Sequence, residues 1–255
     1  MTTISADGSA NFRFVDRAIK RFSGQRDPAR LKVLDFGCGT GSLVERLCEL
    51  FYDAYGCDTV KCWSETSVAH RLFEITVNPY RLPFPDDEFD AVVSISVLEH
   101  AANKHEVFEE VHRVLKPGGI SLHLFPSKWY LFTEPHVYVP LMSWFWPYVP
   151  RWWLALWAIM GLRAPFQRQL TWREVVAANL EYARTGLSYW SNRRYRHLAL
   201  KTFGNYASPM TFYVDQADGG VAKLVRRLPG KTLLAALSGA VRMKFIVIRK
   251  LVAAA

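Results

Sequence analysis

The stretch Val33-Leu34-Asp35-Phe36-Gly37-Cys38-Gly39-Thr40-Gly41 decides the fold of this chain. It predicts a buried strand that ends in a carboxylate and runs into a turn with three glycines in five residues. Glycine lets a backbone pass close to a ligand in conformations that other residues resist. Apolar residues then recur at helical spacing, at Leu43, Val44, Leu47, Leu50 and Phe51. The stretch therefore predicts a strand, a ligand-binding turn and an amphipathic helix. It is not the dinucleotide fingerprint G-x-G-x-x-G, because Ser42 stands at the last glycine position.

Four further segments follow this unit in a fixed order: Tyr55-Gly56-Cys57-Asp58, the run Leu82 to Asp90 with Ala91 to Ser96 after it, Val97-Leu98-Glu99-His100, and Arg113 to Gly119. With Asp35-x-Gly37-x-Gly39-x-Gly41, they resemble the motifs of class I S-adenosylmethionine (SAM) methyltransferases. The resemblance covers roughly residues 12–126, and the subfamily that it resembles is the "type 11" methyltransferase domain.

The alternation of strand and helix patterns predicts an α/β fold with a Rossmann-like, doubly wound, mostly parallel sheet. Seven strands are expected, near Leu31 to Leu34, Ala54 to Cys57, Glu74 to Val77, Ala91 to Ile95, Ile120 to Phe125, Met210 to Val214 and Met243 to Ile248. The last two are expected to form an antiparallel pair, as the resemblance implies. Helices are expected over residues 11–23, Trp63 to Leu72, Asn103 to Leu115, Thr171 to Thr185, Asn192 to Phe203, Val221 to Leu228 and Lys231 to Ser238.

The amino-acid composition of the chain changes after the predicted fifth strand. Residues 128–165 contain six tryptophans, and several prolines interrupt them. The apolar run from Trp152 to Leu162 is too short to span a bilayer, which needs about 20 residues. We expect an aromatic-rich helical cap over the active site, either a plain hydrophobic lid or a surface that dips into a membrane interface. The predicted division is a SAM-binding core at residues 1–127, the cap at 128–205 and C-terminal strands and helices at 206–255.

Charge is distributed unevenly along the chain. The first 150 residues carry 15 Lys and Arg against 19 Asp and Glu, whereas residues 151–255 carry 17 against 4. The two parts therefore have formal charges of −4 and +13. Such asymmetry indicates an anionic partner, which can be a membrane surface, a phosphorylated substrate or nucleic acid, or else a solvated basic face.

The cysteines and the N-terminus bear on the compartment. Cys38, Cys48, Cys57 and Cys62 lack C-x-x-C spacing, which favours reduced thiols over a disulfide framework or a zinc site. Residues 1–10 show no signal-peptide pattern. We expect a cytoplasmic protein, with peripheral contact to the inner face of the membrane as an option, and no metal; the oligomeric state is open.

The resemblance implies SAM as the cofactor and a set of residues around it. Asp35 is expected to order the glycine loop and to meet the ammonium group of the methionine moiety. Asp58 lies 23 residues further on, at a strand end, which suits acceptance of hydrogen bonds from ribose hydroxyls. The other expected cofactor contacts are Phe36, Gly37, Cys38, Gly39, Gly41, Thr59, Asn78, Pro79, Ser94 and Ile95.

Adenine recognition departs from the family pattern. Related sequences place Asp-Ala where this chain has Asn78-Pro79. The Asn78 side-chain oxygen can accept from the adenine amino group, whereas Pro79 has no N–H to donate. We expect weaker or rearranged adenine binding. Asn78-Pro79-Tyr80 is not the Asn-Pro-Pro-Tyr motif of exocyclic-amine methyltransferases, because that motif follows strand four, where Ser94-Ile95-Ser96-Val97 stands here.

A hydroxyl, enol or carbon acceptor needs a general base near the methyl group, and histidine is the usual one. His136 and Glu134, in Phe132-Thr133-Glu134-Pro135-His136, follow strand five, and His100 follows strand four. These three are the catalytic candidates. His123 lies within a strand and is expected to be a core residue.

The favoured function is a SAM-dependent methyltransferase with a small, hydrophobic or lipid- or phosphate-linked acceptor, methylated on oxygen or carbon rather than on a base nitrogen. Two alternatives remain: an RNA methyltransferase that binds through the basic half, and a SAM-binding partner protein without catalysis. Nucleic acid is disfavoured because the aromatic residues cluster in an apolar, proline-broken insert instead of alternating with Lys and Arg.

Overall fold

The computed structural model describes residues 8–63, 66–131, 133–134 and 136–252. The strands are β1 (Lys32–Phe36), β2 (Asp53–Asp58), β3 (Leu72–Glu74), β4 (Thr76–Val77), β5 (Tyr80–Arg81), β6 (Phe89–Ile95), β7 (Leu115–Pro126) and β8 (Met243–Arg249). The helices are α1 (Gly8–Ser23), α2 (Ser42–Glu49), α3 (Lys104–Val114), α4 (Met142–Phe145), α5 (Arg151–Ile159), α6 (Trp172–Thr185), α7 (Asn192–Phe203), α8 (Met210–Gln216), α9 (Gly220–Arg227) and α10 (Lys231–Val241).

The main sheet has six strands in the order β3-β2-β1-β6-β7-β8. All neighbours are parallel except β7 and β8, which are antiparallel. One face of the sheet packs on α1, α2 and the C-terminal helices α8 to α10, and the other packs on α3 and α7. The doubly wound, mostly parallel α/β fold is therefore confirmed. Because β1, β2 and β6 are parallel neighbours, their carboxyl ends lie at one edge of the sheet, where such folds bind ligands.

The prediction of seven strands is wrong, because the expected strand from Met210 to Val214 is helix α8. Its buried residues, Met210, Tyr213 and Val214, recur at helical spacing, and the buried Ala217 follows directly after the helix. A strand would have buried alternate residues. The outer edge of β8 instead pairs with a single residue, Ala207, which bridges to Val247.

The region between β2 and β6 also differs from expectation. The helix predicted from Trp63 to Leu72 is reduced to a 3-10 turn at Ala69–Arg71, and Ser64 and Glu65 lie outside the described residues. Strand β3 lies earlier than predicted, because Leu72 is the apolar side chain that is buried there whereas Val77 is exposed. Strands β4 and β5 form a separate small hairpin with Asn78 and Pro79 at its turn.

The cap after β7 is a helical unit with its own apolar core. That core joins the segment before α4 to helices α5 and α6, and it consists of Val137, Val139, Met142, Val149, Leu154, Ala158, Val175, Val176, Leu180, Ala183, Leu187 and Tyr189. Helix α7, assigned above to the cap, contributes Tyr195, Leu198 and Phe203 to the core under the sheet instead. The three-part division stays a proposal, and this packing favours a cap that ends before α7. No helix among the described residues is both long and apolar enough to cross a membrane.

Candidate active site

The glycine loop after β1 is folded back onto β2. The amides of Gly37 and Cys38 both donate to the carbonyl of Cys57, at 2.7 and 3.1 Å. Gly37 and Gly41 both have φ of +83°. A Cβ at Gly37 would lie 2.2 Å from a methyl group of Val97, and one at Gly41 would lie 2.4 Å from a methyl group of Leu72. The loop therefore requires glycine at both positions.

The Asp58 carboxylate at the end of β2 holds this loop. Its Oδ2 accepts from the amide of Gly39 at 2.8 Å, and its Oδ1 accepts from the amides of Thr59 and Val60 at 2.6 and 3.3 Å. An added Cβ at Gly39 would meet nothing within 4 Å, so this part of the loop borders open space. The ends of β1 and β2 thus present backbone groups and a carboxylate to the same space.

Asp35 is a buried carboxyl at the end of β1. Burial raises the pKa of Asp35 to about 7, and the nearby Asp58 carboxylate adds to the increase. A cationic ligand group beside these two acids would favour the ionised form of Asp35. The pair is therefore suited to an ammonium or sulfonium ligand.

A cavity of about 470 Å³ opens next to the loop, at the carboxyl edge of the sheet. It is lined by Phe36, Gly37, Asp58, Thr59, Ile75, Val77, Asn78, Tyr80, Ser96, Val97, His100, Ala101, Ala102, Asn103 and Thr185. Six of the predicted site residues, Phe36, Gly37, Asp58, Thr59, Asn78 and His100, are therefore brought together here. Thr185 belongs to α6, so the cap closes one side of the cavity.

The other predicted cofactor contacts do not line the cavity, and two of them, Ser94 and Ile95, lie in the core. Cys38, Gly39 and Gly41 continue the loop, and the carbonyl of Pro79 accepts from the Thr76 hydroxyl at 3.2 Å. The Ser94 hydroxyl is turned into the core, where it bonds to Nδ1 of His123 at 2.7 Å. Ile95 packs in the core cluster on the α1 face of the sheet.

His123 is a core residue, as expected. Its Nε2 bonds to the Ser121 hydroxyl at 2.7 Å, and burial lowers the pKa of His123 to about 3. A histidine that stays neutral between two serines is part of the sheet's packing and not of the cavity.

His100 is held in one tautomer. Its Nδ1 lies 2.6 Å from the carbonyl oxygen of Gly186, just after α6. Because a carbonyl oxygen can only accept, Nδ1 donates the proton and Nε2 keeps its lone pair. Burial lowers the pKa of His100 from its ordinary value, which keeps the ring neutral. The ring is thus arranged as a general base at the cavity wall.

Glu134 and His136 form a second unit against His100. The buried Glu134 carboxylate accepts from Nδ1 of His136 at 2.7 Å and from the amides of His136 and Val137 at 2.8 and 3.0 Å. The rings of His136 and His100 meet edge to face, with centroids 4.8 Å apart. Glu134 therefore orients His136, and the three predicted catalytic residues lie in one cluster. Phe132 and Pro135 lie outside the described residues.

Three residues of this cluster had no predicted role. Tyr182 on α6 contacts both histidine rings, at 6.4 and 5.7 Å between centroids. Glu99 is fully buried, with Oε1 4.0 Å from Nε2 of His100. Lys104 is also buried, and its Nζ donates to the carbonyls of Ala101 and Ser188 at 2.7 and 2.6 Å.

Glu99 and Tyr182 carry polar atoms without satisfied hydrogen bonds. Among the described residues, neither carboxyl oxygen of Glu99 nor the Tyr182 hydroxyl has a partner in hydrogen-bonding geometry. Burial raises the pKa of Glu99 to about 8, although its own amide and the Ser96 hydroxyl lie close enough to oppose part of the increase. A neutral carboxyl can donate a hydrogen bond, so Glu99 is available to a polar group of a ligand. Its sequence signal was its place beside His100 in the segment Val97-Leu98-Glu99-His100, four residues after the end of β6.

The part of the chain that the structure describes contains no cluster of side chains suited to bind a metal ion. No group of three or more His, Cys, Asp and Glu residues there is arranged to hold an ion. The four cysteines have free thiols, and burial raises the pKa values of Cys38 and Cys57. Protonated, buried thiols such as those of Cys38 and Cys57 are poor nucleophiles.

A Rossmann-like sheet with a glycine loop, two acids at adjacent strand ends and a capped cavity has the arrangement that the resemblance to class I SAM-dependent methyltransferases implies. Residues 34–122 match the sequence family described as "Methyltransferase domain". A solved S-adenosylmethionine dependent methyltransferase from Mesorhizobium loti shares the fold, with a TM-score of 0.54 and 17% identity over 95% of this chain and 99% of that one.

Curated relatives share the same segment. A sterol 24-C-methyltransferase of Aspergillus fumigatus is 34% identical over 100 residues, which are 35% of this chain and 26% of that protein. A ubiquinone biosynthesis O-methyltransferase of Maricaulis maris is 30% identical over 107 residues, which are 39% of this chain and 42% of that protein. The chain thus spans less than half the length of these relatives. The predicted class, a SAM-dependent methyltransferase domain with SAM as its cofactor, is confirmed for the matched segment.

Proposed function

We propose that the chain is an enzyme that transfers the methyl group of SAM to a small-molecule acceptor. The observation that carries the proposal is the 470 Å³ cavity, which runs from the glycine loop and Asp58 to the neutral ring of His100. SAM supplies an activated methyl group on its sulfonium. The protein therefore needs chiefly to bind, to orient the two reactants in line and to exclude water.

The cofactor end of the cavity is assigned to residues of β1, β2 and the hairpin. The backbone of Gly37 to Gly39 would border the methionine part, with Asp35 near its ammonium group. The Asp58 carboxylate would accept from ribose hydroxyls, as the acid after the second strand does in related folds. Asn78 lines the cavity and remains the proposed contact to adenine.

The acceptor end is assigned to the cluster between β6 and the cap. His100 Nε2 would remove the proton from an acceptor hydroxyl, enol or carbon acid, because its Nδ1 is already fixed by Gly186. Glu99 and Tyr182 would donate hydrogen bonds to the acceptor, since their polar atoms are otherwise unsatisfied. The His136 ring, oriented by Glu134, is the second candidate for the base.

The acceptor class follows from the surroundings of that cluster. Apolar side chains line part of the cavity, the Tyr182 ring of the cap lies against both histidines, and residues 151–255 carry the excess positive charge. We therefore propose a hydrophobic, lipid-linked or phosphate-linked acceptor that is methylated on oxygen or carbon. The printed names of two relatives, a sterol C-methyltransferase and a ubiquinone O-methyltransferase, support this class without fixing the substrate. We propose a cytoplasmic site of action, which the free thiols support.

The experiment is methyl transfer from radiolabelled SAM to a panel of sterols, phenolic quinone precursors and prenyl or sugar phosphates. We expect label in at least one hydrophobic acceptor, and about 100-fold slower transfer by His100→Gln. His197→Gln, at an exposed position on α7, is the control and should retain full activity. SAM binding without transfer to any acceptor would favour a non-catalytic SAM-binding protein.

The positive charge of residues 151–255 also favours RNA as a second candidate acceptor. Its 17 Lys and Arg against 4 acids would suffice for salt-sensitive binding to a phosphate backbone. A filter-binding assay with unfractionated RNA at several salt concentrations decides between these acceptors. Methyl label in RNA, rather than in the small-molecule panel, would replace the proposed acceptor class.

A further inference from the structure

Helix α10 exposes two of its three leucines to solvent. Its fully buried positions are the small residues Ala235 and Gly239, with Leu234 partly buried beside them, and a Cβ at Gly239 would lie 2.7 Å from Met210 of α8. Its outer face carries Leu233 and Leu237, which are 67% and 51% exposed. Ala236 and Ala240 continue the same exposed face at helical spacing. A surface helix normally shows polar residues there, and this face has no partner among the residues that the structure describes.

Helix α5 in the cap repeats this arrangement. Leu154 and Ala158 are buried, whereas Trp152, Leu156 and Ile159 are exposed, Ile159 by 65%. The three exposed residues are spaced by four and three positions and therefore lie on one face of the helix. Two separate elements thus each expose an apolar stripe.

Aromatic residues lie next to the end of α10, and from there Phe145 of α4 contacts Trp153 of α5, with ring centroids 5.4 Å apart. The amide of Leu131 donates to the carbonyl of Val241, the last residue of α10, at 2.8 Å. The exposed Trp144 of α4 donates from its indole N–H to the carbonyl of Tyr130 at 3.0 Å, and its ring meets that of Trp129 with centroids 5.5 Å apart. The exposed residues of α5 and α10 with Trp129, Leu131 and Trp144 are called the apolar face below.

The part of the apolar face around Trp129 and the end of α10 lies at the same edge of the sheet as the cavity. Strand β7 ends at Pro126, just before Trp129, and Pro126 pairs with Met243, just after α10. This is the edge where β1 and β6 also end. A hydrophobic acceptor leaving a membrane would therefore meet the cavity from this side of the molecule.

Positive charge borders the apolar face. On α9, which packs beside α10, Lys223 and Arg227 are exposed and form no ion pair among the described residues. The exposed Leu224 lies between them. The Nζ of Lys128 lies 5.4 Å from the centre of the Trp129 ring. Lysine and arginine next to exposed apolar residues attract anionic lipid headgroups, and tryptophan is favoured at the membrane interface.

We propose that the apolar face docks onto an anionic lipid bilayer and so presents the cavity to a membrane-resident acceptor; the inference rests on the proposed hydrophobic acceptor. A second copy of the chain is a poorer occupant. A twofold dimer through this face would bring the unpaired Lys223 and Arg227 of both copies towards each other. An anionic bilayer satisfies the apolar stripes and the charges together.

The test is flotation of the full chain with vesicles of phosphatidylcholine, alone or mixed with phosphatidylglycerol. We expect the wild type to float with the mixed vesicles and to bind the neutral ones more weakly. The double variants Leu233→Ser/Leu237→Ser and Leu156→Ser/Ile159→Ser should each bind about tenfold more weakly or worse, because each loses two inserted apolar side chains. Lys223→Glu/Arg227→Glu should lose only the preference for the anionic vesicles.

Phe51→Ser is the matched control. Phe51 is 78% exposed but precedes β2, at the opposite edge of the sheet, so its loss should leave flotation unchanged. The proposal is overturned if the wild type floats with neither vesicle, or if the Leu233/Leu237 variant floats as the wild type does. A wild-type dimer by light scattering that the same variant dissociates would also overturn it. SAM affinity, measured on every protein, reports separately on the proposed function and should not change.

Discussion

The Asp58 carboxylate accepts a hydrogen bond of 2.8 Å from the amide of Gly39. The end of the second strand therefore fixes the turn that follows the first strand. This bond places a carboxylate and a run of backbone amides at the wall of one cavity. The account of SAM binding depends on that arrangement.

Replacement of Gly37 by alanine should abolish most SAM binding. A Cβ there would lie 2.2 Å from Val97, so the loop must move away from the cavity. We expect affinity to fall by about tenfold or more in isothermal titration. Gly24→Ala is the control, because Gly24 has a φ of +78° but open space around its Cβ position. Both variants bear similar backbone strain, and equal loss of affinity in both would refute the steric explanation.

SAM affinity should depend on pH through Asp35. The pKa of Asp35 is raised to about 7 by burial, so below that pH the carboxyl is protonated in the free protein. A cationic ligand then has to displace this proton, and affinity should rise as the pH increases from about 5.5 to 8. Asp35→Asn should bind more weakly and without this rise. A pH dependence that persists unchanged in the variant would exclude Asp35 as its source.

Glu134 should act through His136. Each of the single variants Glu134→Gln and His136→Gln should slow methyl transfer, with little change in SAM affinity. Because Glu134 bonds to the ring of His136, adding Glu134→Gln to the His136→Gln variant should cause little further loss in kcat. Fully additive losses would show that the two residues act independently.

Glu99 should make stability fall with increasing pH. Its folded-state pKa is raised from 4.5 to about 8, so the folded chain binds the proton more tightly than the unfolded chain. This contribution is fully present below pH 4.5 and is lost as the pH rises towards about 8. Glu99→Gln cannot ionise, and its Tm should therefore decline less than that of the wild type across this window. Parallel Tm curves would show that Glu99 is not held neutral by the fold.

Most of the fold was predictable because its signals are local. The strand, turn and helix around Gly37 to Gly41 rest on neighbouring residues, as does the capping box in which Thr171 and Glu174 bond each other's backbone. The prediction of a seventh strand was wrong because the apolar residues within the five positions from Met210 to Val214 fit both the strand period of two and the helical period of 3.6. The burial of Met210, Tyr213 and Val214, with Ala217 one turn further on, shows the helical one.

The cluster around His100 could be predicted only in part. Histidines and acids after strands are recognisable candidates, and His100, Glu134 and His136 do meet. The roles of Glu99, Tyr182 and Lys104 depend on contacts between residues about 80 positions apart in the chain, such as the bond from Lys104 to Ser188. No local pattern encodes such contacts. The exposed apolar face of α10 could not be predicted for the same reason, since the inner and outer sides of this helix are defined only by its packing on α8.

The most direct measurement is isothermal titration of the full chain with SAM and with its demethylated product. The account predicts one site per chain for each compound and a clear loss of affinity in Asp58→Asn, whose amide should hold the Gly39 turn less firmly and lacks the charge of the carboxylate. Absence of binding by both compounds, in a chain that circular dichroism shows to be folded, would contradict the account.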